Sequence, residues 1–274
     1  MRTIVHLSDL HFGRTDDALL TPLASVIAKL APDLVAVSGD LTQRARTAEF
    51  KAARAFLDRL PEPQIIVPGN HDVPLHDVIS RFIQPLAKYR RYLTGDLEPF
   101  YADGEIAVLG INTARSLTFK GGRINEAQID RAKARLCTVD PKIVKIMVTH
   151  HPFEVTDAQE STERVGRADL AKEMLSACRC DLLLAGHLHV SDTGSVAMQS
   201  VAGSHNAIVV QAGTATSTRG RGELNSFNTI RVETDRIEVQ RFGWSASSSV
   251  FEMMGSEHFE RTAAGWKSPM TGGR

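Results

Sequence analysis

Thr3-Ile4-Val5-His6-Leu7-Ser8-Asp9-Leu10-His11 couples a nearly continuous apolar run to an Asp-x-His signature. Short β-branched runs of this kind read as strands buried on both faces. Four further segments repeat the arrangement. Asp33 to Val37 leads into Gly39-Asp40, and Gln64 to Val67 leads into Gly69-Asn70-His71-Asp72. Val144 to Val148 leads into His150-His151, and Asp181 to Leu184 leads into Gly186-His187-Leu188-His189. Polar residues placed just past strand ends fall on loops along one edge of the sheet. In open α/β sheets that carboxyl edge is where ligands bind.

Taken singly, each signature has a plain structural reading. Gly-Asp is a common turn dipeptide, and Asp-x-His reads as a capped turn. Gly-Asn-His-Asp fits a turn with a left-handed Asn, and a His pair before Pro152 fits a loop. Gly-His-x-His is more specific, because alternation on an extended segment points both imidazoles the same way. Together the five supply carboxylates, an amide oxygen and imidazoles in sufficient number for two metal ions. A dinuclear site with an open face most often activates a water and drives it in line onto phosphorus.

In this order the five motifs resemble the calcineurin-like metallophosphoesterase superfamily, over roughly residues 1 to 243. The third motif, with an acid after His71, and the chain length are similar to its class III cyclic nucleotide phosphodiesterases. The resemblance implies that Asp9, His11, Asp40 and His189 ligate one metal. It assigns Asp40, Asn70, His150 and His187 to the other, with Asp40 bridging. A bridging carboxylate lowers the mutual repulsion of two cations, and a neutral Asn oxygen limits the negative charge of the site. His151 is expected to shape the pocket or touch substrate. His71 matches the family's non-ligand catalytic His, which stabilises charge on a phosphoryl oxygen or protonates the leaving oxygen. Asp72 either orients the His71 ring or caps the segment beginning at Val73-Pro74. The implied reaction is in-line attack on phosphorus by a hydroxide held between the metals. Oxygen and imidazole donors without thiolate favour Mn, Fe or Zn, and the resemblance puts Mn and Fe first.

The 274 residues carry 32 basic and 32 acidic side chains. Zero net charge gives no support for a broad nucleic-acid or membrane-surface partner. Cys137, Cys178 and Cys180 are odd in number and suggest no disulfide framework; core or helix-end packing is the expectation. No targeting segment and no membrane-length apolar run is evident, so a cytoplasmic location is expected.

Between the motifs, helical spacing predicts helices over Thr15–Leu30, Thr47–Leu60, Asn125–Leu136 and Arg167–Ala177, with Asn125 as a cap. Strands are predicted over Ser195–Val201, Ala207–Gly213, Asn228–Glu233 and Ile237–Phe242, the last two as a hairpin. Early β-α units before a β-rich second half place the chain in the α/β class, as two packed sheets flanked by helices. That agrees with the four-layer αββα sandwich of two mixed β-sheets implied by the resemblance.

Three stretches are candidates for substrate selection. Val73–Phe100 has an amphipathic, helical look and reads as a surface cover or as a wall or lid beside the metals. Glu154–Arg167 is polar and reads as a lid. Thr214–Asn228 holds Arg219, Arg221 and Asn225, which line the pocket or belong to a surface loop. Residues 244–274 read as a tail beyond the 1–243 catalytic domain, packing on that domain or on a dimer partner.

The reading is a metal-dependent phosphoric diester hydrolase acting on a small phosphodiester, with a 3′,5′- or 2′,3′-cyclic nucleotide as the leading substrate. Glycerophosphodiester and nucleotide-linked pyrophosphate hydrolysis are the alternatives, and an inactive scaffold of the same fold is the alternative outside enzymes. No stable nucleic-acid binding is expected, and a homodimer or higher homo-oligomer is compatible with the resemblance.

Overall fold

Side chains along each apolar run alternate between two different interiors, and this alternation sets the layering. The computed structural model describes residues 1–75, 77–118, 121–154, 164–201, 203–218 and 222–269. In chain order it contains β1 (Arg2–Leu7), α1 (Asp17–Leu30), β2 (Leu34–Val37), α2 (Thr47–Leu57), β3 (Gln64–Ile66), α3 (Val78–Ile83) and α4 (Ala87–Tyr92). There follow β4 (Phe100–Ala102), β5 (Ile106–Gly110), α5 (Glu126–Leu136), β6 (Val144–Val148), α6 (Ala168–Ala177) and β7 (Leu182–Ala185). The chain then runs through β8 (Asp192–Ser200), β9 (Gly203–Gln211), β10 (Ser226–Val232), β11 (Arg236–Ser245), β12 (Val250–Thr262) and β13 (Gly265–Lys267).

Three separate apolar cores define four layers. Val5 and Leu7 of β1 face α1 and α2, where they meet Leu23, Ile27, Phe50 and Phe56. Ile4, between them in sequence, points the other way and joins Ile146, Leu182, Ile208 and Trp266 in the core between the two sheets. On the far side, Leu109, Met147 and Leu183 pack against Ala132 and Leu136 of α5 and Ala171 and Leu175 of α6. Each fully buried aliphatic or aromatic side chain contributes roughly 1.5–3 kcal/mol relative to exposure. A one-residue slip of any strand would exchange its two faces between cores.

The strand order is β3-β2-β1-β10-β11-β12-β13-β9-β7-β6-β5-β4, with β8 pairing β9. β1, β2 and β3 are parallel, as are β5, β6, β7 and β9. Antiparallel strands complete both mixed sheets. The parallel strands all end toward one edge, where the five motifs lie. The predicted β10–β11 hairpin forms, with Val232 opposite Ile237. Asn125 caps α5 by accepting from the Gln128 amide.

Two expectations need correction here. β11 runs through residue 243, and β12 and β13 continue the sheet, so residues 244–267 are part of the fold rather than a tail. β13 pairs with β12 on one side and with β9 on the other, joining the two sheets. Trp266 is fully buried there, its indole N–H donating to Asp181 at 2.8 Å. Most of β12 is solvent-exposed, which removed the apolar periodicity that would have marked it as a strand. The cysteines also differ from expectation. Cys137 and Cys178 end α5 and α6 and form a disulfide, because the two helices pack side by side with their C-termini together. Cys180 is free and buried, as core packing predicts.

Candidate metal centre

The loops after β1, β2, β3, β6 and β7 converge, and they do so through unusual backbone. Asp9, His11, Asp40, His187 and His189 have φ of 54°, 49°, 51°, 75° and 61°. Left-handed conformations in non-glycine residues cost of order 1–3 kcal/mol each and concentrate at functional sites. Here they turn five polar side chains inward from loops that otherwise follow the sheet edge. Two glycines make the close approach possible. A Cβ on Gly69 would collide with the Asp40 carboxylate and backbone, and one on Gly186 would collide with Ser8 Oγ and Asp9 Oδ2.

Asp9, His11, Asp40 and His189 are all buried, and their ligand atoms lie within 4.8 Å of one another. His11 Nε2 is 3.2 Å from His189 Nε2, and Asp9 Oδ1 is 3.4 and 3.2 Å from these two nitrogens. On the other side, His150 Nε2 lies 3.1 Å from Asn70 Oδ1 and 3.3 Å from His187 Nδ1. Asp40 faces both groups with different oxygens. Its Oδ2 is 3.7 Å from His11 Nε2, and its Oδ1 is 3.4 Å from His150 Nε2. The structure thus brings together all seven residues that the resemblance assigns to metal binding.

The donor set fits metal ions on its own chemistry. Ligands about 2.0–2.2 Å from a cation stand roughly 3–3.5 Å from each other, which is the separation found here. Facing imidazole nitrogens and a buried carboxylate oxygen without a hydrogen-bond partner, Asp9 Oδ1, would be costly unless a cation sits among them. Burial works against ionisation of Asp9, yet His11, His189 and His150 hold it well below the usual carboxylate range. Asp40 is likewise depressed despite its burial, chiefly by His150 and His71. Burial and the neighbouring His150 push His187 down to about 3. Burial also opposes charge on His150, but Asp40 overcomes it and lifts His150 to about 9. Ionised carboxylates and neutral imidazoles are the forms that bind metal, and the proton on His150 is the one a cation beside Asp40 would displace.

Neighbouring groups fix the orientation of these side chains. Ser8 Oγ and the His187 amide both donate to Asp9 Oδ2, at 2.6 and 3.0 Å. His150 Nδ1 is 2.7 Å from the Ser38 carbonyl, which leaves Nε2 for the centre. His71 stands at the rim, half-buried, with its ring edge-on to His11 at 5.0 Å between centroids. Its Nδ1 is 2.8 Å from the Gln43 carbonyl oxygen.

Asp72 does neither of the things expected of it. Its Oδ1 accepts from the Thr42 amide and hydroxyl, both at 2.9 Å. Its Oδ2 accepts from the amides of Gly69 and Leu41, at 2.9 and 3.2 Å. It therefore ties the Asp40 loop to the Asn70 loop, and the Gln43 carbonyl takes the role of orienting His71. Burial and the Asp40 charge push the Asp72 carboxyl up to about 6, against the pull of those donors.

His151 is fully buried beside His150 and His187, with Nδ1 2.8 Å from Thr113 Oγ1. Asn225 donates its amide to the Thr214 and Ser217 carbonyls and braces its own loop. Arg219 and Arg221, and residues 155–163 of the proposed lid, lie outside the described residues. Sequence reasoning missed Gln43 and Thr113. Gln43 meets His71 Nδ1 with its backbone carbonyl at 2.8 Å and its side-chain amide nitrogen at 3.3 Å, and both Gln43 and Thr113 lie outside the motifs. Ser8 was legible only as a neighbour of Asp9.

The five loops and the convergence of their ligands are matched in sequence by one family, the calcineurin-like phosphoesterases, over residues 2–191. The chain belongs to that family. Calcineurin-like phosphoesterases hydrolyse phosphoesters with a dinuclear metal centre. The glycerophosphodiester phosphodiesterase GpdQ of Enterobacter lignolyticus is 25% identical over 167 residues, covering 57% of this chain. The chain spans 59% of that relative's length. A probable cyclic nucleotide phosphodiesterase of a Synechococcus strain is 25% identical over 202 residues, covering 68% of this chain and 73% of its own. The same fold occurs in a purple acid phosphatase from yellow lupin, with TM-score 0.73 and 14% identity over 96% of this chain and 54% of that one. It occurs also in a dimetal phosphatase from Danio rerio, with TM-score 0.66 and 14% identity over 92% of this chain and 98% of that one. No helix among the described residues is long and apolar enough to cross a membrane.

Proposed function

We propose that this calcineurin-like phosphoesterase hydrolyses phosphodiesters at a pair of metal ions held by Asp9, His11, Asp40, Asn70, His150, His187 and His189. The observation that carries the proposal is the Asp40 carboxylate, whose two oxygens face the two donor groups separately. Mn and Fe are the proposed metals, on the oxygen and imidazole donor set. Two bound cations would supply Lewis acidity toward the phosphoryl oxygens and a water acidified to neutral pH.

The chain's own residues divide the remaining work. Asp40 offsets the repulsion between two cations by sharing its charge, and Asn70 contributes a neutral oxygen. His71, with Nδ1 2.8 Å from the Gln43 carbonyl, would meet the substrate through Nε2. There, in the imidazolium form, its Nε2–H would give a proton to the departing alkoxide or donate to a phosphoryl oxygen. His151 and the Thr214–Asn228 loop, with Arg219, Arg221 and Asn225, are the proposed substrate-side surroundings.

The relatives' names offer two diester classes, glycerophosphodiesters and cyclic nucleotides. Both belong in the test, which is turnover by metal-stripped, Mn-reconstituted protein on 3′,5′-cyclic AMP, 2′,3′-cyclic AMP, glycerophosphocholine and bis(p-nitrophenyl) phosphate. Metal-dependent cleavage of diesters supports the proposal. Cleavage of monoesters alone would overturn it.

A further inference from the structure

His6 interrupts the apolar run from Ile4 to Leu7 in β1, and its ring is fully buried. Strand alternation puts it on the face of Ile4, toward the core between the two sheets, and away from Val5 and Leu7. Burial pushes the ring down to about 3, so it is a neutral imidazole. Its Nδ1 has no hydrogen-bond partner among the described residues. A polar ring in such a place loses solvation that only Nε2 recovers. Stability alone would favour phenylalanine there, because an apolar ring of similar shape removes the buried unpaired nitrogen.

The contact made by Nε2 leads to the metal centre. His6 Nε2 lies 2.9 Å from Ser38 Oγ. The Ser38 hydroxyl and amide both donate to the Leu7 carbonyl, at 3.3 and 2.9 Å. Side chain and main chain of Ser38 are thus both held to β1. The Ser38 carbonyl in turn lies 2.7 Å from His150 Nδ1 and accepts from Ser8 Oγ at 3.3 Å, the hydroxyl that also donates to Asp9. The His150 ring sits directly on this peptide, since a Cβ on Gly39 would stand 2.7 Å from its Nδ1. Gly39 and Asp40 then turn with φ of 93° and 51°. The peptide that orients His150 is therefore also the one from which the Asp40 loop departs.

We infer that His6 is a positioning residue of the metal centre, acting through Ser38 to hold the carbonyl that presents His150 Nε2 to a metal ion. This inference rests on the two-metal reading proposed above and deepens it. The role of His6 is geometric. Without the Nε2 contact the Ser38 hydroxyl keeps only the Leu7 carbonyl, and the peptide against which His150 lies gains freedom. Groups that orient a ligating histidine typically contribute roughly 10–100-fold to metal affinity.

The test titrates metal-stripped protein with Mn, reading free Mn by its electron paramagnetic resonance signal, and measures the melting temperature of the stripped protein. Wild type is set beside His6→Phe, which keeps a ring and removes its nitrogens, and His6→Gln, whose amide donates or accepts near the Nε2 position. Ser38→Ala removes a single oxygen and carries the test even where the ring exchange disturbs folding. The expected result is that His6→Phe melts no lower than wild type without metal, yet binds one of the two Mn about tenfold or more weakly. His6→Gln should restore that affinity to within about threefold, and Ser38→Ala should match His6→Phe. The double variant His6→Phe/Ser38→Ala should be no weaker than either single variant, because both changes break one line of contacts. Two Mn held by His6→Phe and Ser38→Ala as tightly as by wild type would overturn the inference and leave the two-metal reading standing. Weakening of both Mn together with a lowered melting temperature, neither restored in His6→Gln, would make His6 a core residue only and likewise overturn it. A wild type that takes up fewer than two Mn would overturn the two-metal reading and the inference with it.

Discussion

His71 Nδ1 lies 2.8 Å from the backbone carbonyl oxygen of Gln43, so the ring that faces the metal centre is aligned by main chain from the Asp40 loop. A carbonyl only accepts, so this closer contact favours the proton on Nδ1 over the Gln43 side-chain amide 3.3 Å from the same nitrogen, and assigns Nε2 to the proposed meeting with substrate. The His71→Ala variant is therefore expected to bind metal like the wild type and to lose about 10²–10⁴ in turnover. The loss should grow as the leaving group becomes more basic. Metal analysis with kinetics on a series of aryl diesters checks this; loss of metal from the variant would contradict it.

Asp72 holds the Asp40 and Asn70 loops in register with four accepted hydrogen bonds. Replacing it with Ala strands buried donors, each costing about 1–3 kcal/mol. The Asp72→Ala variant is expected to be less stable by at least about 3 kcal/mol and to bind metal more weakly. Denaturant unfolding and metal titration measure the two effects. An Asp72→Ala variant of unchanged stability, impaired only in turnover, would return Asp72 to a catalytic role.

Metal removal should lower stability as well as activity, because the cations compensate buried ligands that repel one another without them. Free metal at about 100 times its dissociation constant adds roughly 2.7 kcal/mol. The melting temperature should fall on chelation and rise again with Mn. In Gly186→Ala, where a Cβ would press on Ser8 and Asp9, that Mn-dependent rise should shrink.

The Cys137–Cys178 disulfide closes a separation of 41 residues between the ends of α5 and α6. On the chain-entropy account, closing such a loop contributes about 4 kcal/mol. Reduction should lower the unfolding midpoint while metal-dependent turnover persists under native conditions, since neither cysteine touches the centre. Thiol counting in denaturant should give one free thiol, from Cys180, before reduction and three after it.

Much of this was legible in the sequence, for a physical reason. β1, β2, β6 and β7 are largely buried on both faces, so their apolar runs are nearly continuous, broken only by His6 in β1 and Lys145 in β6, and each ends at a motif that the carboxyl edge gathers. β12 escaped notice because an exposed strand carries no such run, and the boundary drawn at residue 243 therefore cut through β11. The disulfide depended on two helix ends meeting in space. The partners of Asp72 and His71 are largely main-chain groups, about which side-chain patterns are silent. In α3 the apolar Val78, Ile79, Phe82 and Ile83 are exposed while Arg81 is buried, which side-chain patterns do not show, because an apolar helix face is ordinarily taken to point inward.

The central claim is a working two-metal centre, and the most direct measurement is turnover of bis(p-nitrophenyl) phosphate during Mn titration of stripped protein. Wild type is compared with Asn70→Ala throughout. The account predicts no turnover without metal, saturation near two Mn per chain, and loss of the second equivalent together with the activity in Asn70→Ala. Turnover independent of metal, saturation at a single ion, or an unaffected Asn70→Ala variant would contradict it.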